Sequence, residues 1–508
     1  MTKTLIGVAD TPFPSLEPAR QALGDIDAEI HVATEPTPEA IIEVAREADA
    51  LFVTYAKITG DIISELKHCR VIGRFGVGTD NIDISAATRA GIMVTYAPVY
   101  CLDEVSDHTL ALLLALARKI PYAHSLVNDQ RWEMSAVVPI NRLRGRTLGL
   151  VGFGNIAQSI VSKARAFGIK TIAADPYIPE EVFTKLDVER VDFDQLLEQA
   201  DFISIHTPLT EETTNLFDQE AFQRMKPGAL LINTARGPLV DIDALATALE
   251  AGEIAGAALD VYETEPCPEN SPLRAVPNIV MTPHLGASTK EAQESVGIEV
   301  AEAIIDFLVN GTVRNAVNMP NLDAKTYEVV KPYILLGEKL GRLCAQLGEE
   351  RNDQITITYG GKAAEVPADP VTRCVLKGFL ENAGGEEVNQ VNVRALASSL
   401  GITVEEVKTH EGPDYAEWMH VEVRAGESIV SAGGTFFGGQ PRIVRINGCN
   451  VESAAEGVIL LLNNRDKPGK VGYIGSLIGE HGVNIANMSL NRDKVGGEAL
   501  TLLNLDQE

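Results

Sequence analysis

The chain has 508 residues, a formal net charge of −28, and a composition that is 45% hydrophobic and only 5% aromatic. That length implies three or four domains. The acidic balance excludes a general binder of nucleic acid or anionic membrane, while leaving room for a local basic pocket.

Six scattered cysteines (Cys69, Cys101, Cys267, Cys344, Cys374, Cys449) form no Cys-x-x-Cys pair. They suit a reduced, cytoplasmic protein without a zinc site or disulfide frame. The first residues lack a signal-peptide layout, and the longest apolar stretch, 110–117, is too short to span a bilayer.

Up to about residue 98, short strands (5–8, 29–32, 50–54, 71–74) alternate with helices (38–47, 58–66, 84–90). Asp83 suits the N-cap of the last helix and Gly91 its end. The alternation predicts a parallel sheet with flanking helices. Strand 71–74 runs into Arg74-Phe75-Gly76-Val77-Gly78-Thr79-Asp80-Asn81. A cation followed by glycine-exposed amides can hold a carboxylate; an ordinary strand-to-helix turn fits this segment equally well. A long apolar helix is expected over about 105–123. Asp107 and His108 near its start are expected to be capping and surface residues.

Residues 147–176 then form a strand, a Gly152-Phe153-Gly154-Asn155-Ile156-Ala157 turn, a helix ending at Gly168, and a second strand ending on Asp175. Gly152 permits the tight turn, Gly154 lets a pyrophosphate approach the backbone, and Ala157 lets helix and strand pack closely. Amides near Asn155 and Ile156 can hold phosphates. Asp175 can bind a ribose diol and would repel a 2′-phosphate, so this βαβ unit predicts NAD rather than NADP.

Four more strands are expected at 202–206, 229–234, 255–261 and 278–282, and the polar residues just after them fall at the carboxyl edge of one sheet. Arg236, Glu265 and His284 stand out there. Hydride transfer at a 2-hydroxy acid needs a forked cation for the carboxylate, which Arg236 offers. It needs a group that takes the hydroxyl proton near neutral pH, which is His284. A carboxylate beside that histidine, Glu265, would favour the imidazolium.

With these residues in view, the chain resembles the D-isomer-specific 2-hydroxyacid dehydrogenases. The resemblance is carried by Val151-Gly152-Phe153-Gly154-Asn155-Ile156, His206-Thr207-Pro208-Leu209, Ile232-Asn233-Thr234-Ala235-Arg236-Gly237, Leu259-Asp260-Val261-Tyr262, Thr264-Glu265-Pro266 and Thr282-Pro283-His284-Leu285-Gly286. It implies a catalytic trio of Arg236, Glu265 and His284. It implies NAD contacts at Gly152, Gly154, Asn155, Ile156, Asp175, Thr207, Thr234, Ala235, Asp260 and Gly286. Arg74, Gly76, Val77 and Gly78, with Arg236, would hold the substrate.

The implied α/β architecture is a Rossmann-type NAD domain (99–289) inserted into a flavodoxin-like substrate domain (1–98 and 290–318). An α/β intervening domain (319–452) and an ACT-like, ferredoxin-type module (453–508) would follow. That long form resembles the members that oxidise 3-phospho-D-glycerate, as a homodimer or homotetramer, with no metal. In two places the pattern departs. Thr54 stands where phosphate-binding members often carry arginine, with Lys57 nearby, and residues 100–108 resemble a subgroup of reductases and the C-terminal-binding proteins. Reduction of glyoxylate or hydroxypyruvate, or dinucleotide sensing without turnover, are the alternatives.

Past residue 318, a helix with Leu335, Leu336, Leu340 and Leu343 at helical spacing is expected, then mixed α/β. From about 457 the order is strand 458–463, helix 471–480, and strands 483–491 and 498–505. This matches an ACT-like module up to its third strand, without the last helix and strand. In such modules L-serine sits between paired copies. Asn484 matches one serine-contacting position, while Asp466 and Asn464 stand where relatives carry asparagine and histidine. Serine regulation and a tail used only for assembly fit equally well.

Overall fold

The computed structural model describes residues 3–506 except 14, 277, 349–351, 382–387, 413–414 and 493. Five short parallel strands, β1 (Thr4–Val8), β2 (Ala28–Val32), β3 (Ala50–Val53), β4 (Val71–Arg74) and β5 (Met93–Tyr96), make the first sheet, in the order β2-β1-β3-β4-β5. Strands β3 and β4 are buried at every position, because helices cover both faces. Asp83 caps the helix Ile84–Arg89 by accepting from the Ala86 amide, and Gly91 follows in the left-handed region. Strand β5 and the helix Glu17–Ala22 are additions to the predicted elements. Each is only four to six residues long, too short to show a period. The helix Lys290–Ile305 returns to this sheet: a Cβ on Gly73 of β4 would lie 2.5 Å from Val300 Cγ1.

The second sheet has seven parallel strands: β6 (Thr147–Val151), β7 (Lys170–Ala174), β8 (Glu189–Arg190), β9 (Phe202–Ile205), β10 (Leu230–Asn233), β11 (Gly256–Leu259) and β12 (Ile279–Met281). Their order, β12-β11-β10-β9-β6-β7-β8, is doubly wound and reverses between β6 and β9. The helix expected over 105–123 is two helices, Leu102–Ala117 and Ile120–Asn128, bent by 59°. Pro121 has no N–H to bond Ala117, and Lys119 takes a left-handed φ of 52°. Among the described residues no single helix is long and apolar enough to cross a membrane.

The third sheet is mixed: β13 (Gln354–Gly361), β14 (Thr403–Thr409), β15 (Glu417–Ala425), β16 (Ser428–Phe437), β17 (Gln440–Ile446) and β18 (Cys449–Ala454), in the order β14-β13-β15-β16-β17-β18. The helices Ala324–Leu347 and Ala368–Leu380 pack on it and cross at two glycines: a Cβ on Gly341 would lie 2.0 Å from the Val375 carbonyl oxygen, and one on Gly378 2.1 Å from that of Glu338. Asn389 ties this unit to the first sheet, donating from Nδ2 to the Gly91 carbonyl at 2.9 Å.

The fourth sheet holds β19 (Val458–Arg465), β20 (Ile485–Arg492) and β21 (Glu498–Leu505), with the helix Lys470–Glu480. Strand β21 runs antiparallel between the other two. Its Leu500 and Leu502 share a small core with Ile443, Ile446 and Val451 of the third sheet.

Candidate active site

The carboxyl ends of the first and second sheets face each other across a cleft of about 1700 Å³. From the second sheet come Arg236 after β10, Glu265 in the loop after β11, and His284 after β12. His284 Nδ1 lies 2.8 Å from Glu265 Oε2, and the Tyr262 amide donates to Glu265 Oε1 at 3.0 Å. Burial pushes the Glu265 carboxyl up, but the His284 bond and charge outweigh it and leave the group below the usual carboxylate range. Facing only a carboxylate acceptor, Nδ1 carries the hydrogen, which makes Nε2 the basic nitrogen.

Arg236 reaches across to the first sheet. Its Nε donates to Asp80 Oδ1 at 2.8 Å and its Nη1 to its neighbour's carbonyl, Ala235 O, at 2.7 Å. The guanidinium lies over the loop, for a Cβ on Gly78 would fall 1.4 Å from Nη2. Burial pushes Asp80 up, and Arg236 more than reverses it, leaving Asp80 an anion that holds Arg236 in place. Arg74 is 9% exposed; its Nη1 donates to the Phe75 carbonyl and its buried Nε has no partner among the described residues. Burial and the charge of Arg236 both lower its pKa. The cleft thus holds Arg236 and Arg74, each with a nitrogen to spare, while a third arginine in its lining, Arg274, is tied to the Pro268 and Cys267 carbonyls.

The loop amides are not equivalent. Gly76 N–H is closed onto the Arg74 carbonyl at 2.9 Å, so of the three loop amides expected to hold the substrate it is the one already bonded within the chain. The Val77 and Gly78 amides donate to none of the described residues, and both residues line the cleft. Thr54, where a cation was expected, is 2% exposed, and its hydroxyl is turned to the Asp10 carbonyl at 3.3 Å. Tyr55 takes the open position instead, with its ring edge-on to His284 at 5.6 Å.

The nucleotide half fits NAD. Gly152 has a φ of +87°, and a Cβ there would lie 2.8 Å from the His206 carbonyl. Nothing lies within 4 Å of a Cβ on Gly154, so the turn opens freely into the cleft. The helix Asn155–Ala166 starts without a side-chain cap, and the amides of Gly154, Asn155, Ile156 and Ala157 find no acceptor among the described residues. Asp175 stands at the end of β7, fixed by the amides of Phe153, Tyr177 and Ile178. Thr207 Oγ1 is buried in the cleft wall with no partner among the described residues. Thr234, Ala235, Asp260 and Gly286 also line the cleft, though the amides of Ala235 and Gly286 are taken by Asn233 and Asp260.

Sequence reasoning missed His108. It is half-buried and points inward: its Nε2 is 3.2 Å from both Asp260 Oδ1 and Thr282 Oγ1. It shares a stripe with Val105, Thr109 and Leu112, all buried, and that spacing was the available signal. Asp107 does sit outside, paired with Lys163 at 2.6 Å.

The two effector candidates lie outside the lining of this cleft and far from each other. Asp466 follows β19 and accepts from Arg492 at 2.6 Å; Asn484 precedes β20 and donates to Asp506 at 2.6 Å. Because β19 and β20 run the same way beside β21, these residues lie at opposite ends of the sheet. An eight-residue strand separates them by roughly 25 Å.

Comparison with known proteins shows the family. Residues 110–286 match the NAD-binding domain of the D-isomer-specific 2-hydroxyacid dehydrogenases, and residues 329–447 match the D-3-phosphoglycerate dehydrogenase intervening domain. The D-3-phosphoglycerate dehydrogenase of Methanocaldococcus jannaschii is 39% identical, over 97% of this chain and 94% of its own length. The Synechocystis protein of the same name is 40% identical, over 94% of this chain and 87% of its own. The D-lactate dehydrogenase of Aquifex aeolicus, solved with NAD and lactic acid, superposes with a TM-score of 0.56 at 27% identity, covering 63% of this chain and all of that one. The chain belongs to the D-isomer-specific 2-hydroxyacid dehydrogenases, among those that carry the D-3-phosphoglycerate dehydrogenase intervening domain.

Proposed function

We propose that this protein oxidises 3-phospho-D-glycerate to 3-phosphooxypyruvate with NAD, the first step of L-serine synthesis. The observation that carries the reading is the His284–Glu265 pair, set in the same cleft as Arg236, Arg74 and the uncapped nucleotide helix. NAD, when bound along Gly154–Ala157 and Asp175, supplies the acceptor for the hydride that leaves C2.

The chain's own groups do the rest. Arg236, steadied by Asp80, presents Nη2 to the substrate carboxylate, with the Val77 and Gly78 amides beside it. His284 takes the hydroxyl proton on Nε2 as the C2–O bond becomes a carbonyl. Glu265 fixes the tautomer and stabilises the imidazolium that results. Arg74 supplies the second cation, for the phosphate. Cytoplasmic residence, assembly as a homodimer or homotetramer, and an L-serine site between paired C-terminal modules belong to the same reading. One observation favours a second substrate class. With Thr54 turned inward to Asp10, the cleft lacks one cation, and a phosphate-free 2-hydroxy acid would need none.

The test is NADH formation from NAD and 3-phospho-D-glycerate at alkaline pH, with a trap for the oxo product, with and without L-serine. Turnover that serine suppresses supports the enzyme and its regulation. Turnover indifferent to serine keeps the enzyme and makes the tail an assembly element. Turnover only with glyoxylate or hydroxypyruvate, assayed as reduction, selects the second class. NAD binding with no turnover on any of these acids would favour a dinucleotide sensor.

A further inference from the structure

We infer that His108 is a positioning residue that holds the catalytic loop through Asp260, an inference that rests on His284 being the base. His108 stands on the helix Leu102–Ala117 and reaches the second sheet with Nε2, 3.2 Å from both Asp260 Oδ1 and Thr282 Oγ1.

The partners determine where the hydrogens lie. Burial pushes the Asp260 carboxyl up, but its hydrogen bonds outweigh that and keep it ionised, so it can only accept. Thr282 Oγ1, 2.6 Å from Asp260 Oδ1, therefore donates to it. That leaves the threonine oxygen as an acceptor, so His108 carries its hydrogen on Nε2 and shares it between the two oxygens.

Asp260 passes this order to the catalytic loop. Its carboxylate accepts the Leu285 and Gly286 amides, each at 2.8 Å, and its carbonyl accepts the His284 amide at 2.9 Å. Three consecutive amides thus reach one residue, the first of them shared with the Thr282 carbonyl at 3.1 Å. These bonds hold His284 at a φ of 54°, in the left-handed region that few residues other than glycine enter. Such a conformation persists only where its surroundings over-determine it. Asp260, itself 1% exposed, is that restraint, and His108 is the donor that fixes the carboxylate from the helix side. Without His108 the carboxylate can turn, the amides lose their shared acceptor, and His284 slips on Glu265.

The test uses the full-length enzyme. His108→Leu removes the donor, whereas His108→Gln puts an amide N–H near where Nε2 stood. His108→Leu should lower kcat about 30-fold with KM for the hydroxy acid nearly unchanged, because Arg236 and Arg74 are untouched. The acid limb of its pH–rate profile should move to lower pH, since His284 would be less supported by Glu265. His108→Gln should recover most of both effects. Thr282→Val, close in shape, should act in the same direction by about 5-fold and add nothing on top of His108→Leu; it carries the test if His108→Leu does not fold. Wild-type kcat and pH profile in His108→Leu, or in Thr282→Val where His108→Leu does not fold, equal impairment in His108→Gln, or full additivity would each overturn the inference. His284→Ala is run alongside. If it is dead while His108→Leu behaves as wild type, only the His108 role falls; if it is active, the base assignment falls and takes this inference with it.

Discussion

The cleft and the C-terminal sheet were both predicted to bind small polar ligands, yet the chain builds them differently. In the cleft, residues as distant as Arg74 and His284 converge, because two parallel sheets end on the same gap. In the fourth sheet, Asp466 and Asn484 belong to strands that run the same way, but one follows its strand and the other precedes it. They therefore occupy opposite ends, and each is already hydrogen-bonded within the chain. A parallel edge gathers ligand groups inside one chain. A site split between the two ends of a sheet can close only when a second copy brings the missing half.

The largest effect should come from breaking the cleft. His284→Ala should reduce turnover about a hundredfold or more, with the Kd for NAD nearly unchanged, because the nucleotide-facing amides lie elsewhere. Glu265→Gln should keep the hydrogen bond to Nδ1 but not the charge, lowering kcat and moving the acid limb to lower pH. Stopped-flow hydride transfer and NAD titration measure both.

The cleft is also where an acid-sensitive group lies. His206 is half-buried in the cleft wall beside the nucleotide turn, with Nε2 2.8 Å from Ser204 Oγ, and desolvation there lowers its pKa to about 3. The sign follows from the unfolded chain, whose histidine takes a proton near 6.5 while the folded one does not. Stability from this group is complete above that value and declines as pH falls from 6.5 towards 3. At pH 5 it should cost at most about 2 kcal/mol relative to pH 7, by the linkage of about 1.4 kcal/mol per pH unit, and less to the extent that the cleft admits solvent to the ring. Denaturant unfolding at the two pH values, with His206→Asn as the control that flattens the difference, measures it.

Most of the cleft was legible in the sequence because its parts are local. The strand–glycine–helix unit, the acid after β7 and the polar residues after successive strands all sit within a few positions of a strand end. His108 was not legible, because its partners Asp260 and Thr282 are more than 150 residues away, and a histidine on an amphipathic helix carries no mark of what it meets. Gly76 shows a similar limit. A glycine-rich loop suggests free amides, but which amide folds back onto its own chain depends on the φ of each residue. Thr54 shows the same limit from the other side: the position was found, but not that its hydroxyl turns inward and leaves Tyr55 in the cleft.

The smallest expected effect would sharpen the contrast from the other side. Asn484→Ala removes one half of the split site without touching the cleft, so kcat and KM in the absence of serine should stay as in the wild type. If serine binds between two copies, Asn484→Ala should weaken it about tenfold, the loss of one or two hydrogen bonds to a charged ligand. Asp466→Ala should do the same even though it lies some 25 Å away within one chain. Mixed oligomers of the two variants then decide the geometry. A site needing Asp466 from one copy and Asn484 from the other leaves one intact site in a mixed pair and partly restores inhibition. A site held within one chain leaves none, so a mixed pair no more sensitive to serine than either variant alone would count against shared binding.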